Sequence, residues 1–144
     1  MDVNKVIYAS RGGNTEKLAA AIAKGAGCEA FSVDSAANIE GVDTLFVGGS
    51  IYAGKIDSSL RKFLDKLSAS QVRNIVVFGT AAGNKSALAE VKTILEPKGI
   101  KVSDEAFQCK GSFLFANRGR PNDEDLKHAE EFARKISEGS THAL

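Results

Sequence analysis

The chain has 144 residues, 43% hydrophobic and 26% charged, with a net charge of +1 at neutral pH. That is the balance of a soluble globular protein with enough core for one domain spanning residues 1–144, and it offers no global field to attract nucleic acid or an anionic membrane. No apolar stretch approaches the ~20 residues of a membrane span and the N-terminus carries no signal-peptide pattern, so a cytoplasmic protein is expected.

An apolar run from Val3 to Ala9 reads as a first strand. Ser10-Arg11-Gly12-Gly13-Asn14-Thr15 follows, and a helical pattern opens at Glu16 with Leu18, Ala21 and Ile22 on one face. Glu29–Val33 reads as the second strand, whereas Asp34–Val42 has no clear period and suits a short helix or a loop. Thr44–Gly49 is the third strand, Ser50–Ile56 a loop, and Leu60, Phe63, Leu64 and Leu67 mark a helix. After the fourth strand, Asn74–Gly79, comes a loop over Gly79–Lys85. Leu88, Val91 and Leu95 then mark a helix stopped by Pro97 and Gly99. A last strand region runs from Lys101 to Phe115 with an interruption. The final helix starts at Pro121-Asn122, with Asn122 as cap, acids at 123 to 125, and Ala129, Phe132, Ala133 and Ile136 as its buried stripe. Beyond Ser137, the segment Gly139-Ser140-Thr141 reads as a frayed end. Cys28 and Cys109 sit far apart in strand-like runs and are expected as free thiols; with His128 and His142 they make no metal spacing.

Strands such as Thr-Leu-Phe-Val and Ile-Val-Val-Phe are apolar throughout, as a parallel sheet covered on both faces requires. Five strands alternating with helices predict a doubly wound α/β fold with strand order 2-1-3-4-5. Ligands in such folds sit beyond the strand C-termini where the winding reverses, between strands 1 and 3. The three loops Ser10–Thr15, Ser50–Ile56 and Gly79–Lys85 would meet there.

Each loop has its own chemistry. Hydroxyls, glycines and backbone amides at the start of a helix suit a phosphate at Ser10–Thr15, though the same residues suit an ordinary capped βα turn. The second loop, Gly49-Ser50-Ile51-Tyr52-Ala53-Gly54-Lys55, spells G-x-x-x-x-G-K, but Ile56 stands where a nucleotide-binding P-loop needs Ser or Thr for Mg²⁺. Tyr52 can instead stack on a planar ring or pack on its neighbours, and Gly54 can change its peptide orientation at little steric cost. The third loop holds no acid, base or nucleophile; its backbone N–H groups can serve ring acceptors, or it is a plain turn. No side chain in the three loops reads as a catalytic acid or base, and no metal site is expected.

On these motifs the chain resembles a flavodoxin of the short-chain kind. Ser10, Gly13 and Thr15 stand in register with the family pattern Ser/Thr-x-Thr-Gly-x-Thr, with Gly12 where the middle Thr is usual. The segment from Val47 to Lys55 is similar to the family's second loop, and Phe107-Gln108-Cys109-Lys110-Gly111-Ser112-Phe113 resembles its fifth strand. The resemblance implies a flavodoxin-like three-layer αβα sandwich and a non-covalently held FMN. Its phosphate would lie on Ser10, Arg11, Gly12, Gly13, Asn14 and Thr15. Its ring would lie between Ser50, Ile51, Tyr52, Ala53 and Gly54 on one side and Thr80, Ala81, Ala82 and Gly83 on the other. The activity implied is one-electron transfer between a reductase and an acceptor enzyme by a monomer, with the carbonyl at Ala53–Gly54 able to turn toward the reduced ring.

Two departures from the family matter. Many flavodoxins are strongly acidic, but near these loops Arg11, Lys55, Lys85, Arg118 and Arg120 outnumber Glu16 and Asp57. Arg118 and Arg120 are candidates for a docking rim. The third loop also lacks an aromatic cover, so one ring face could stay open to a small molecule. That keeps an FMN-dependent reductase or dehydrogenase acting on a quinone or tetrapyrrole as the alternative, with protoporphyrinogen oxidases the nearest resemblance, although their insertion before the last helix is missing. A phosphoacceptor receiver is excluded, because Gly48-Gly49-Ser50 and Ala9-Ser10-Arg11 occupy the places of its acids. A flavin-free interaction domain is the remaining class.

Overall fold

The computed structural model describes residues 3–9, 13–34, 39–52, 55–81, 87–110 and 121–142. Its strands are β1 (Asn4–Tyr8), β2 (Ala30–Ser32), β3 (Val42–Tyr52), β4 (Lys55–Ile56), β5 (Val72–Ala81) and β6 (Lys101–Lys110). The helices are α1 (Asn14–Ala26), α2 (Ser58–Lys66), α3 (Leu88–Leu95) and α4 (Asp123–His142). Five strands pair in parallel in the order β2-β1-β3-β5-β6. Counting those five alone, this is the expected 2-1-3-4-5. The short β4 lies off that path, antiparallel to the end of β3.

Apolar residues on alternate positions of each strand feed two separate cores. Ile7, Leu45, Val47, Ile75 and Val77 pack with Leu60, Leu64, Val91 and Leu95 on one face. Val6, Phe46, Val76 and Phe78 pack with Leu18, Ile22, Ala129 and Ala133 on the other. A continuous apolar strand therefore conceals a strict alternation, each neighbour serving a different helix layer.

Close packing between α1 and α4 depends on small side chains. A Cβ added at Gly25 would lie 2.0 Å from the Glu130 carbonyl oxygen and 3.1 Å from the Ala133 methyl. Only glycine lets the two helix backbones approach this far. Across from them, Phe107 of β6 packs on Phe132 of α4 with ring centroids 5.6 Å apart.

Helix ends follow local chemistry. The Asn122 side chain accepts from the Asp125 N–H at 2.9 Å, while Asp125 accepts from the Asn122 N–H at 2.9 Å, a reciprocal cap on α4. Asp57 caps α2 through the Ser59 N–H at 2.9 Å. At the other end of α2, the Lys98 ammonium donates to the carbonyls of Leu64 and Asp65. As expected, α3 stops before Pro97 and Gly99, passing through a 3₁₀ turn over Glu96–Lys98.

Several boundaries differ from the sequence reading. Helix α1 opens at Asn14 rather than Glu16, because Gly13 at its N-cap takes a left-handed turn that admits the next two residues to the helix. Strands β3 and β5 run on to Tyr52 and Ala81, since β4 and the mutual pairing of β3 and β5 satisfy their backbone groups beyond Gly49 and Gly79. Strand β6 is continuous over residues 101–110, with its irregularity taken up as a bulge. Ile75 pairs with Val102 but Val77 with Ala106, so Ser103–Glu105 bow outward, and the Glu105 N–H is held by the Ser103 hydroxyl at 3.1 Å. The expected frayed end is helical: α4 continues to His142, since each added residue completes another backbone hydrogen bond. At Ser137, where fraying was expected to begin, the hydroxyl accepts from the Asn4 amide at 3.1 Å. Cys28 is free as expected, but it lies in the turn before β2 rather than in a strand. Burial, reinforced by Glu29, pushes its thiol up to about 11, so it stays protonated and unreactive at neutral pH.

Replacing Gly25 by Ala should destabilise the protein by about 1–3 kcal/mol through overpacking at the α1–α4 contact. Urea denaturation reads this directly, and an unchanged midpoint would contradict the contact.

Candidate functional site

A crossover carries the chain from the end of one parallel strand back to the opposite edge, where the next begins, so all the strands end at one edge and α1 begins where β3 and β5 end. Tyr8 pairs with Gly48, and the Ala9 N–H donates to the Gly48 carbonyl at 3.0 Å, which seats the start of the first loop against β3. The next rung joins Gly49 of β3 to Gly79 of β5, followed by Ser50 with Thr80 and Ile51 with Ala81. The glycine rung is required by packing. A Cβ at Gly79 would sit 2.6 Å from the Gly49 carbonyl, and one at Gly48 would strike the Phe78 ring at 2.2 Å. These glycines, read from sequence as the last residues of their strands, lie within longer strands and let them close together.

Above that rung lies the contact that organises the site. The Thr15 and Thr80 hydroxyls are 3.1 Å apart, and both side chains are buried, at 0% and 2% exposure. Thr80 and Phe78 are two residues apart on β5 and so share the face covered by α1, where Thr15 is on the buried side of the first turn. The bond reaches from α1 over the end of β3 to β5. It brings the first and third predicted loops together, 65 residues apart in the chain.

The helix end itself is built for an anion. Gly13 has φ of 83°, in the left-handed region that favours glycine, and no side chain caps the helix there. The positive end of the α1 dipole thus faces the crevice beside a buried hydroxyl. Glu16 is the acid of the first turn, and it pairs with Tyr8. Burial first, then the charge of Glu16 and a hydrogen bond to it, holds the Tyr8 phenol above its ordinary value.

The second loop is a hairpin. Tyr52 pairs with Lys55 and Ile51 with Ile56, which leaves just two residues, 53 and 54, for the connection. Its far side is anchored from α3: the Ile56 N–H donates to Glu90 Oε1 at 3.0 Å, and Arg61 of α2 donates to Glu90 Oε2 at 3.3 Å. Sequence reasoning missed Glu90, and no local signal marks it, since it acts on a residue 34 positions away.

Of the predicted site residues, Gly13, Asn14, Thr15 and Thr80 are fully described, and Ser50, Ile51, Tyr52 and Ala81 in their backbone. Ser10, Arg11, Gly12, Ala53, Gly54, Ala82 and Gly83 lie outside the described residues, as do Lys85, Arg118 and Arg120. Ser50, Ile51 and Tyr52 are strand residues at the end of β3, not loop residues. Thr80 is likewise in β5, and its side chain turns inward to Thr15 rather than outward to a ring. Among the described residues, no group of His, Cys, Asp and Glu could hold a metal ion, and no helix is long and apolar enough to cross a membrane.

A five-stranded parallel sheet wound in this order, with helices on both faces, is the flavodoxin-like α/β sandwich. Residues 5–112 match the flavodoxin domain, and the chain belongs to that family. It is 35% identical over 136 residues to an uncharacterised protein of Methanocaldococcus jannaschii, covering 85% of this chain and 89% of the relative. In structure it is similar to a flavodoxin from the domain Archaea, with a TM-score of 0.81 and 23% identity over 96% of this chain and 99% of that one. It is also similar to part of the rubredoxin oxygen:oxidoreductase of Desulfovibrio gigas, with a TM-score of 0.79 and 16% identity over 100% of this chain and 38% of that one. Family membership sets the general class as flavin-linked electron transfer or oxidoreduction.

The Tyr8 phenol should titrate above the ordinary tyrosine value of 10.0. Because the folded form retains the phenolic proton after the unfolded form has lost it, stability should fall as pH rises through that range. With only two tyrosines and no tryptophan, alkaline ultraviolet titration of a Tyr52→Phe variant isolates Tyr8. Adding Glu16→Gln should lower its apparent pKa, and an unmoved curve would refute the pairing.

Proposed function

We propose that this protein binds FMN at the crevice between β1 and β3 and carries single electrons between larger redox proteins. The observation that carries this reading is the buried Thr15–Thr80 contact, which sets a glycine-capped helix N-terminus against the end of β5 at the switch point. Bound FMN would supply the redox chemistry, and the protein's part is binding, orientation and electrostatics.

Residues Ser10–Thr15 would hold the phosphate, the Thr15 hydroxyl and backbone N–H groups donating to its oxygens with the α1 dipole behind them. No cation is needed for such a nest. The β3–β4 hairpin would flank the ring through Ser50, Ile51, Tyr52, Ala53 and Gly54, with Glu90 and Arg61 holding its base still. Thr80, Ala81, Ala82 and Gly83 would bound the other side by backbone, since the Thr80 hydroxyl lies against Thr15. The two-residue connection at 53–54 would present its carbonyl to the ring, with Gly54 permitting the peptide to turn.

Redox partner proteins would approach over the hairpin and the segment bearing Arg118 and Arg120. A reductase acting directly on a quinone or tetrapyrrole is the second reading, favoured by the lack of any aromatic residue between Gly79 and Lys85 to cover one ring face. Rapid reoxidation of the reduced protein by a quinone or tetrapyrrole, but not by redox proteins, would select it.

Titration of the apoprotein with FMN should quench flavin fluorescence at one equivalent, and riboflavin should bind at least about tenfold more weakly, since hydrogen bonds to a charged group are worth about 1.5–3 kcal/mol. Absence of binding would overturn the reading. Gly54→Val should lower the first midpoint potential in an anaerobic redox titration by about 20–60 mV, the equivalent of one ordinary hydrogen bond. An unshifted potential would remove the hairpin carbonyl from its assigned role.

A further inference from the structure

The geometry points to Thr80 as a positioning residue for phosphate recognition: its hydroxyl donates to Thr15 Oγ1 and so aims the Thr15 proton at the phosphate. The inference rests on the FMN reading above and adds to it a residue that touches no part of the ligand through its side chain.

The two hydroxyls are 3.1 Å apart, and either can be the donor. A phosphate at neutral pH offers chiefly acceptor oxygens, so Thr15 can serve it only by donating. Once its single proton is so used, the Thr15 oxygen can face Thr80 only as an acceptor. Thr80 must then be the donor. The result is an ordered chain, Thr80 to Thr15 to phosphate, in which each bond polarises the next. Burial gives the chain its force, because Thr15 is 0% exposed and Thr80 2% exposed, so water has little access to their shared bond. Gly48 eases the reach, since on the face covered by α1 it puts no side chain beside Phe78 of β5.

The signature is selective. Riboflavin has no phosphate and sets no direction on the hydroxyl pair, so losing the Thr80 donor should weaken FMN more than riboflavin. In Thr80→Val, which keeps the shape and the strand preference of a β-branched residue, the FMN dissociation constant should rise about tenfold more than the riboflavin constant. Thr80→Ser should keep the wild-type ratio. Thr15→Val should lose the same discrimination, and Thr80→Val added to Thr15→Val should change the ratio no further, as members of one chain require.

The experiment is fluorescence-quench titration of each apoprotein with both flavins, with urea midpoints to confirm folding. If Thr80→Val does not fold, Thr80→Ala carries the same comparison. Equal weakening of FMN and riboflavin, or additive effects of the two substitutions on their ratio, would overturn the relay. Wild-type protein that binds neither flavin would instead overturn the FMN reading itself, so the two failures are distinguishable.

Discussion

A parallel strand pair cannot be closed by a tight turn: the chain must leave one end of the sheet and return to the other, and here it does so through helices. The four described helices therefore begin at the edge where β1, β3, β5 and β6 end. That constraint gathers helix N-termini, with their unpaired N–H groups and positive dipole ends, on one side of the molecule. At the switch between β1 and β3 no strand crossover covers the crevice, so that edge offers both an anion site and room for a ligand. Everything specific to this chain is built on that arrangement.

What lets the edge close is the removal of side chains at chosen points rather than the addition of charge pairs. Gly48 leaves space for the Phe78 ring, Gly79 for the Gly49 carbonyl, and Gly25 for the Glu130 carbonyl. Each lies where two backbones or a backbone and a ring converge on the sheet face covered by α1 and α4, or at the strand ends above it. Two ion pairs among the described residues are peripheral by comparison. Lys92 and Asp104 link α3 to the bulge of β6, and Arg73 and Asp43 sit 3.8 Å apart on the surface. With Asp104 89% exposed and Arg73 86% exposed, solvent screens both pairs and they contribute little. Packing decides this fold.

Charge has a local task instead. Glu90 is 22% exposed and divides its two oxygens between the Ile56 N–H and Arg61, tying the β3–β4 hairpin to α2 and α3 at once. Glu16 is engaged by Tyr8, and Asp57 by the first turn of α2. The acids read from sequence as opponents of an anionic ligand are thus each committed to a structural partner. The basic residues Arg11, Lys85, Arg118 and Arg120 lie outside the described residues, and Lys55 is exposed at the start of β4.

Short-range signals determined much in advance. The spacing of Leu60, Leu64 and Leu67, the Asn122 cap, the Pro97 stop and the two-faced apolar strands each act within a few residues, and each marks an element that formed. Their alternation sufficed for the winding and strand order, and the loop motifs for the family. The tertiary structure alone decided that β3 and β5 outrun their glycines, that residues 55–56 turn back as β4, and that Gly139–His142 stays helical. It also decided that Thr80 faces Thr15 and that Glu90 reaches Ile56. The reason is physical. A period or a cap is satisfied by neighbours in the chain, but a strand end or a hydroxyl is satisfied by whichever group the fold delivers, here from 65 and 34 residues away.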